Sequence, residues 1–83
     1  MSEVTEPETV DARGLRCPLP VVRLAAAARE RPDGSLLRVL ATDPAARHDV
    51  PAWARMRGHV VVGAAEVATG VWAVTVRLGP GAR

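Results

Sequence analysis

The stretch from Asp11 to Pro20, DARGLRCPLP, holds the only cysteine of the chain, followed by a proline on its next and third positions. A thiolate is a nucleophile, so the question for this stretch is whether the chain ionises and exposes Cys17. Proline is tolerated in the first turn of a helix, where its missing N–H would have no partner and its fixed φ already suits the helix. Pro18 and Pro20 therefore predict a helix whose first turn starts just after Cys17, with Cys17 at or beside the N-cap. The unpaired N–H groups and positive dipole end found there favour an anion. Cysteines so placed, particularly near arginine, have pKa values lowered from about 8.5 to roughly 3.5–7.5. Arg16 is adjacent and Arg13 close. Each is a candidate to stabilise the thiolate or steer an acidic partner, against the plainer reading of a solvated loop arginine. Gly14 falls in the turn before the helix, where a positive φ or a close chain approach calls for a residue without Cβ. A lone free cysteine is often an inert core residue. The two prolines, the arginines and the helix start together favour an exposed, activated thiol on a rigid loop.

The elements that must position this loop are legible from periodicity. Residues 8–12 read as a short strand, with Thr9 and Val10 as strand formers. The helix behind Cys17 carries Val21, Leu24, Ala25 and Ala28 at the spacing of a buried stripe and ends near Arg31, because the residue before Pro32 is pushed out of the α region. Residues 32–34 then turn. Residues 35–42 form a strand with Leu36, Leu37, Val39 and Leu40 around Arg38, closed by a turn at Asp43 and Pro44. A second helix is expected to start at Asp49, with Pro51 in its first turn, and to stop at Gly58. Val50, Trp53, Ala54 and Arg57 share a face of it, which makes Trp53 a packing residue. Residues 59–67 and 71–78 form a hairpin across a turn at 68–70. In its second strand Trp72, Val74, Val76 and Leu78 lie on one side and Val71, Ala73, Thr75 and Arg77 on the other. The order β-α-β-α-β-β implies an α/β two-layer sandwich, two helices on one face of a mixed four-stranded sheet. Residues 1–8 are expected to be a flexible arm, 9–78 the domain and 79–83 a flexible tail.

At 83 residues the chain is one small domain. It has no Phe or Tyr and two Trp, so Val, Leu and Ala must build the core. One cysteine excludes an internal disulfide, and no second cysteine or histidine is spaced for zinc, so neither metal nor cofactor is expected. A reducing cytoplasm is the expected home. The first residues are acidic and lack the apolar run of a signal peptide, and no stretch is long enough to span a bilayer. All eleven basic residues are arginine, and the formal charge is only +2. They are spread over helices, turns and strands rather than clustered, so direct DNA binding is not expected and RNA contact remains a minor alternative.

Read together, Asp11-x-x-Gly14-Leu15-x-Cys17-Pro18-x-Pro20, Thr42-Asp43-Pro44, Asp49-Val50-Pro51 and Gly58-His59 resemble the TusA-like (SirA-like) family of small sulfur carriers, over residues 9–78. The resemblance implies that Cys17 accepts a sulfane sulfur as a persulfide, and that Pro18 and Pro20 shape the loop presenting it. The donor would be a cysteine desulfurase or a rhodanese-type enzyme, and a downstream acceptor protein would serve tRNA thiolation, sulfur oxidation or cofactor biosynthesis. Leu19 departs from the pattern, since family members in tRNA thiolation often carry an acidic residue between the two prolines. Asp11 and Asp43 recur in the family pattern and read as turn or capping residues. His48 and His59 lack a paired ligand in sequence and stay outside the site.

Two other functions use the same residues differently. A single-cysteine redox protein would take Cys17 to sulfenic acid or a mixed disulfide, although no resolving cysteine is present. A non-catalytic module would bind RNA or a protein through its arginines, and would survive replacement of Cys17 by Ser.

Overall fold

A computed structural model of the chain describes residues 6–79. Its elements follow the expected order: β1 (Glu8–Ala12), α1 (Leu19–Ala28), β2 (Leu36–Ala41), α2 (Ala46–Arg57), β3 (Val60–Ala68) and β4 (Val71–Arg77). The strands form one mixed sheet in the order β1-β2-β4-β3. β1 runs parallel to β2, which requires a crossover, and α1 supplies it. β2 and β3 each pair antiparallel with β4. The two-layer α/β sandwich is thus the observed fold.

Alternation sorts the strands between two faces. Val10 and Ala12 of β1, Leu37, Val39 and Ala41 of β2, and Val74 and Val76 of β4 are buried under the helices, with Leu78 just beyond β4. Leu24 and Ala28 of α1 and Ala46, Val50 and Ala54 of α2 close the core from the other side. As the composition required, the core is aliphatic. Trp53 packs against it only partly buried, and meets the His59 ring at 4.8 Å. Trp72 lies beneath the Arg47 guanidinium at 4.1 Å, a cation–π contact between β4 and α2.

Several boundaries and faces differ from the sequence reading. α1 buries Pro20, Leu24 and Ala28, while Val21 and Ala25 are only half-buried. The stripe is centred one residue earlier because Pro20, apolar and without an N–H to satisfy, serves as a packing residue as well as a helix starter. The helix ends at Ala28, and a turn through Arg29 and Glu30 leads to Pro32. α2 starts at Ala46, not at Asp49, and Pro51 lies inside it. The cause is Asp43: its Oδ1 accepts Ala45 N–H at 3.0 Å and its backbone oxygen accepts Ala46 N–H at 3.0 Å, so the helix is launched there. Pro51 removes one interior helix bond, and burial of Val50 and Ala54 on either side holds the helix across it.

α2 ends in a Schellman turn. Gly58 takes φ 78°, a left-handed conformation without steric cost to glycine, and His59 N–H reaches back to Ala54 O at 2.8 Å. Residues 1–5 of the expected arm and 80–83 of the expected tail lie outside the described residues. Glu8 belongs to β1 and is ion-paired with Arg31. Gly79 is not tail-like: it is buried, and its N–H donates to His59 Nδ1 at 3.0 Å.

Candidate functional site

The loop between β1 and α1 is held from below by the end of β2. Asp11 accepts the Arg13 backbone N–H at 3.1 Å and takes its guanidinium in a bidentate grip, closing the first bend. This holds the Asp11 carboxyl well below the usual carboxylate range, through the Arg13 side chain first and its backbone N–H second. Gly14 follows at φ 81° and donates to Thr42 Oγ1 at 2.8 Å. Only a residue without Cβ takes that φ freely, so the expectation drawn from Gly14 is met. Cys17 N–H then donates to Asp43 Oδ2 at 2.7 Å. Leu19 N–H donates to Arg16 O at 2.7 Å, completing a turn around a cis Cys17–Pro18 peptide. Pro18 is the N-cap of α1, one position before the first turn, and Pro20 lies within that turn.

Asp43 is the joint of the site. One oxygen starts α2 and the other fixes the backbone of Cys17. These two N–H groups lower its pKa, with the Arg16 charge a lesser contribution. The turn role read from sequence is therefore correct, and it extends to a contact 26 residues away.

Cys17 is exposed and stands one residue before the α1 N-cap, as the prolines required. Its electrostatics are the reverse of the expectation. The thiol donates to Asp49 Oδ2 at 2.8 Å, and that carboxylate, followed by desolvation and the charge of Asp43, pushes the Cys17 pKa up. A hydrogen bond given by the thiol stabilises the protonated form, and two nearby carboxylates oppose a second anion. The helix end alone would have lowered it. Neither arginine offsets this: Arg13 is committed to Asp11, and Arg16 acts on Asp43. Neither arginine is among the groups that set the direction of the Cys17 shift.

Asp49 is a site residue that the sequence placed as a helix start and as part of the family pattern, with no contact to the thiol. Thirty-two positions separate it from Cys17, and no local spacing reports their contact. On the helix that follows Cys17, Leu19 and Val22 are exposed and, with Leu15, Arg23 and Ala26, line a shallow groove. His48 is exposed on α2, and His59 is a buried packing residue. Among the described residues no group of three or more His, Cys, Asp or Glu side chains could hold a metal ion, and no helix is long and apolar enough to cross a membrane.

Fold and site define a class, a small α/β domain presenting one surface thiol where two helix starts meet. Comparison with known proteins is more specific. The Sulfurtransferase TusA family profile matches residues 8–78, and the chain belongs to that family, whose members transfer sulfur. The "Sulfur carrier protein TusA" of Pseudomonas entomophila is 41% identical over 68 residues, covering 82% of this chain and 85% of that protein. A relative from Aquifex aeolicus is 39% identical over 62 residues, 75% of this chain but 32% of the relative's length. The crystal structure of a SirA-like protein from Desulfitobacterium hafniense superposes with a TM-score of 0.75 at 32% identity, covering 86% of this chain and 96% of that one.

Proposed function

We propose that this protein carries sulfane sulfur as a persulfide on Cys17, taking it from a donor enzyme and delivering it to an acceptor protein. The observation that carries the reading is the placement of a single exposed cysteine on a loop fixed at Gly14 and at its own N–H. Sulfur Sγ attacks the outer sulfur of a donor persulfide, so an Sγ–S bond forms as the donor S–S bond breaks. The electron pair and a proton pass to the departing donor thiol. Delivery repeats the same exchange, with an acceptor thiolate attacking the outer sulfur of the Cys17 persulfide. Neither step needs an oxidant, a metal or a second cysteine of this chain. Pro18 and Pro20 fix the loop's exit into α1 and so direct Sγ outward. Exposed Leu19 and Val22 give a partner apolar footing on the helix that follows the sulfur. The donor class is a cysteine desulfurase or a rhodanese-type enzyme, and a reducing compartment such as the cytoplasm suits a carrier that must keep its thiol free.

Intact-protein mass spectrometry tests this. The reduced protein and its Cys17→Ser variant are incubated with a cysteine desulfurase and cysteine, or with a rhodanese and thiosulfate. The reading expects added sulfur on the unmodified sequence alone, removed by reductant. No added sulfur with either donor, while peroxide oxidises Cys17 readily, would transfer the function to thiol redox chemistry.

A further inference from the structure

The groups around Sγ are unequal in what else they do. Asp43 has both oxygens occupied by backbone N–H groups, which is a structural task. Asp49 is different. It lies in the first turn of α2, its backbone N–H bonds to Ala45 O at 2.8 Å, and its Oδ2 accepts from Cys17 Sγ at 2.8 Å. Arg13 is held by Asp11 and Arg31 by Glu8, so neither of these arginines neutralises Asp49. Other charged groups of the neighbouring segments are engaged elsewhere, and Arg55 and Arg57 lie in the last turn of α2, away from its start. On the Cys17 loop Arg13 grips Asp11, and the Arg16 charge contributes to lowering the Asp43 pKa. On α1 Arg23 donates to Asp11 O at 3.3 Å. On α2 Arg47 covers Trp72, and His48 is exposed. The sulfur therefore faces two carboxylates, one of them in direct contact and free of structural duty.

We propose that Asp49 is the positioning residue of the thiol: it aims Sγ and holds it as a neutral, hydrogen-bonded thiol while the carrier is empty. The inference rests on Cys17 being the sulfur-carrying group. A thiol held this way reacts slowly with adventitious electrophiles and oxidants, because only the thiolate attacks them readily. When the carrier loads, the exchange R–S–SH + Cys17–SH → R–SH + Cys17–S–SH moves the Sγ proton to the Asp49 carboxylate and from there to the departing donor thiolate. Atoms and charge balance with no added reagent.

The test is the rate of Cys17 alkylation by iodoacetamide as a function of pH, which requires no sulfur donor. Asp49→Asn keeps the size and removes the charge. Its rate at pH 7 is expected to rise by about three- to tenfold, with the profile displaced to lower pH, since removing a neighbouring charge moves the titration by about a unit while a thiolate of lower pKa is intrinsically less nucleophilic. Asp49→Glu restores the carboxylate and is expected to keep the original profile. In the unsubstituted protein the midpoint is expected above that of the same chain unfolded in urea, a comparison that needs no variant. An unchanged or slower Asp49→Asn profile in a protein with native circular dichroism, or a folded midpoint below the unfolded one, overturns the proposal. Sulfur loading by mass spectrometry is read separately. A displaced alkylation profile without loading would retain the Asp49 role and reject the carrier reading, and loading without displacement would do the opposite.

Discussion

Among the glycines, Gly79 has the tightest surroundings, and they yield a sharp stability prediction. A Cβ added at Gly79 would stand 1.9 Å from the carbonyl oxygen of Gly58. Ordinary contact is roughly 3.5 Å, so Gly79→Ala must part the two segments by about 1.6 Å. The segments cannot part freely. Gly79 N–H is bonded to His59 Nδ1 at 3.0 Å, Leu78 N–H to Ser35 O at 2.9 Å and Gly34 N–H to Leu78 O at 2.8 Å. Losing two or three such bonds at about 1 kcal/mol each costs about 2–3 kcal/mol, with Leu78 partly withdrawn from the core in addition. The alanine also narrows the unfolded ensemble, which offsets up to about 1 kcal/mol. The net loss of about 2 kcal/mol is a large part of the roughly 4–12 kcal/mol expected for a chain of 83 residues. At about 4–8 °C per kcal/mol, thermal unfolding followed by circular dichroism should show Tm lower by about 8–16 °C. Gly63→Ala is the control, because a Cβ there meets nothing within 4 Å, and its Tm should stay within about 3 °C of the parent. A Gly79→Ala protein that melts with the parent, or a Gly63→Ala protein that loses as much, would refute the reasoning.

Further outcomes follow from the core, the joint and the thiol. Leu24 is fully buried between α1 and the sheet, so Leu24→Ala should cost about 2–5 kcal/mol in urea unfolding. Asp43 ionises at lower pH when folded than its ordinary value of 3.8, so its stabilisation is present above that value and is lost as pH falls through the folded one. Tm should accordingly drop below about pH 4, and Asp43→Asn should both lower Tm at neutral pH and flatten that acid limb. The same variant loosens the Cys17 N–H contact, so sulfur uptake measured by mass spectrometry should slow while Cys17 stays alkylatable. Cys17→Ser should abolish uptake without lowering Tm, since the side chain is exposed.

The sequence by itself determined the element order, the aliphatic core and the place of the thiol. Each of these rests on local chemistry: the apolar run of Leu36, Leu37, Val39 and Leu40, prolines at a helix start, and glycine in the turn at Gly14. It misplaced the start of α2 because Pro51 looks like a first-turn proline, whereas the launching contact is made by the Asp43 side chain. It assigned Gly79 to a tail because nothing in Gly-Pro-Gly reports a histidine twenty positions earlier. The state of the thiol was decided by tertiary structure alone. A helix end and two arginines argue for an anion at Cys17, and their effect is local and readable. The carboxylate at Asp49 argues against it and reaches the sulfur only when α2 packs beside α1. Charge interactions depend on distance in space, and a contact 32 residues apart is written in the fold.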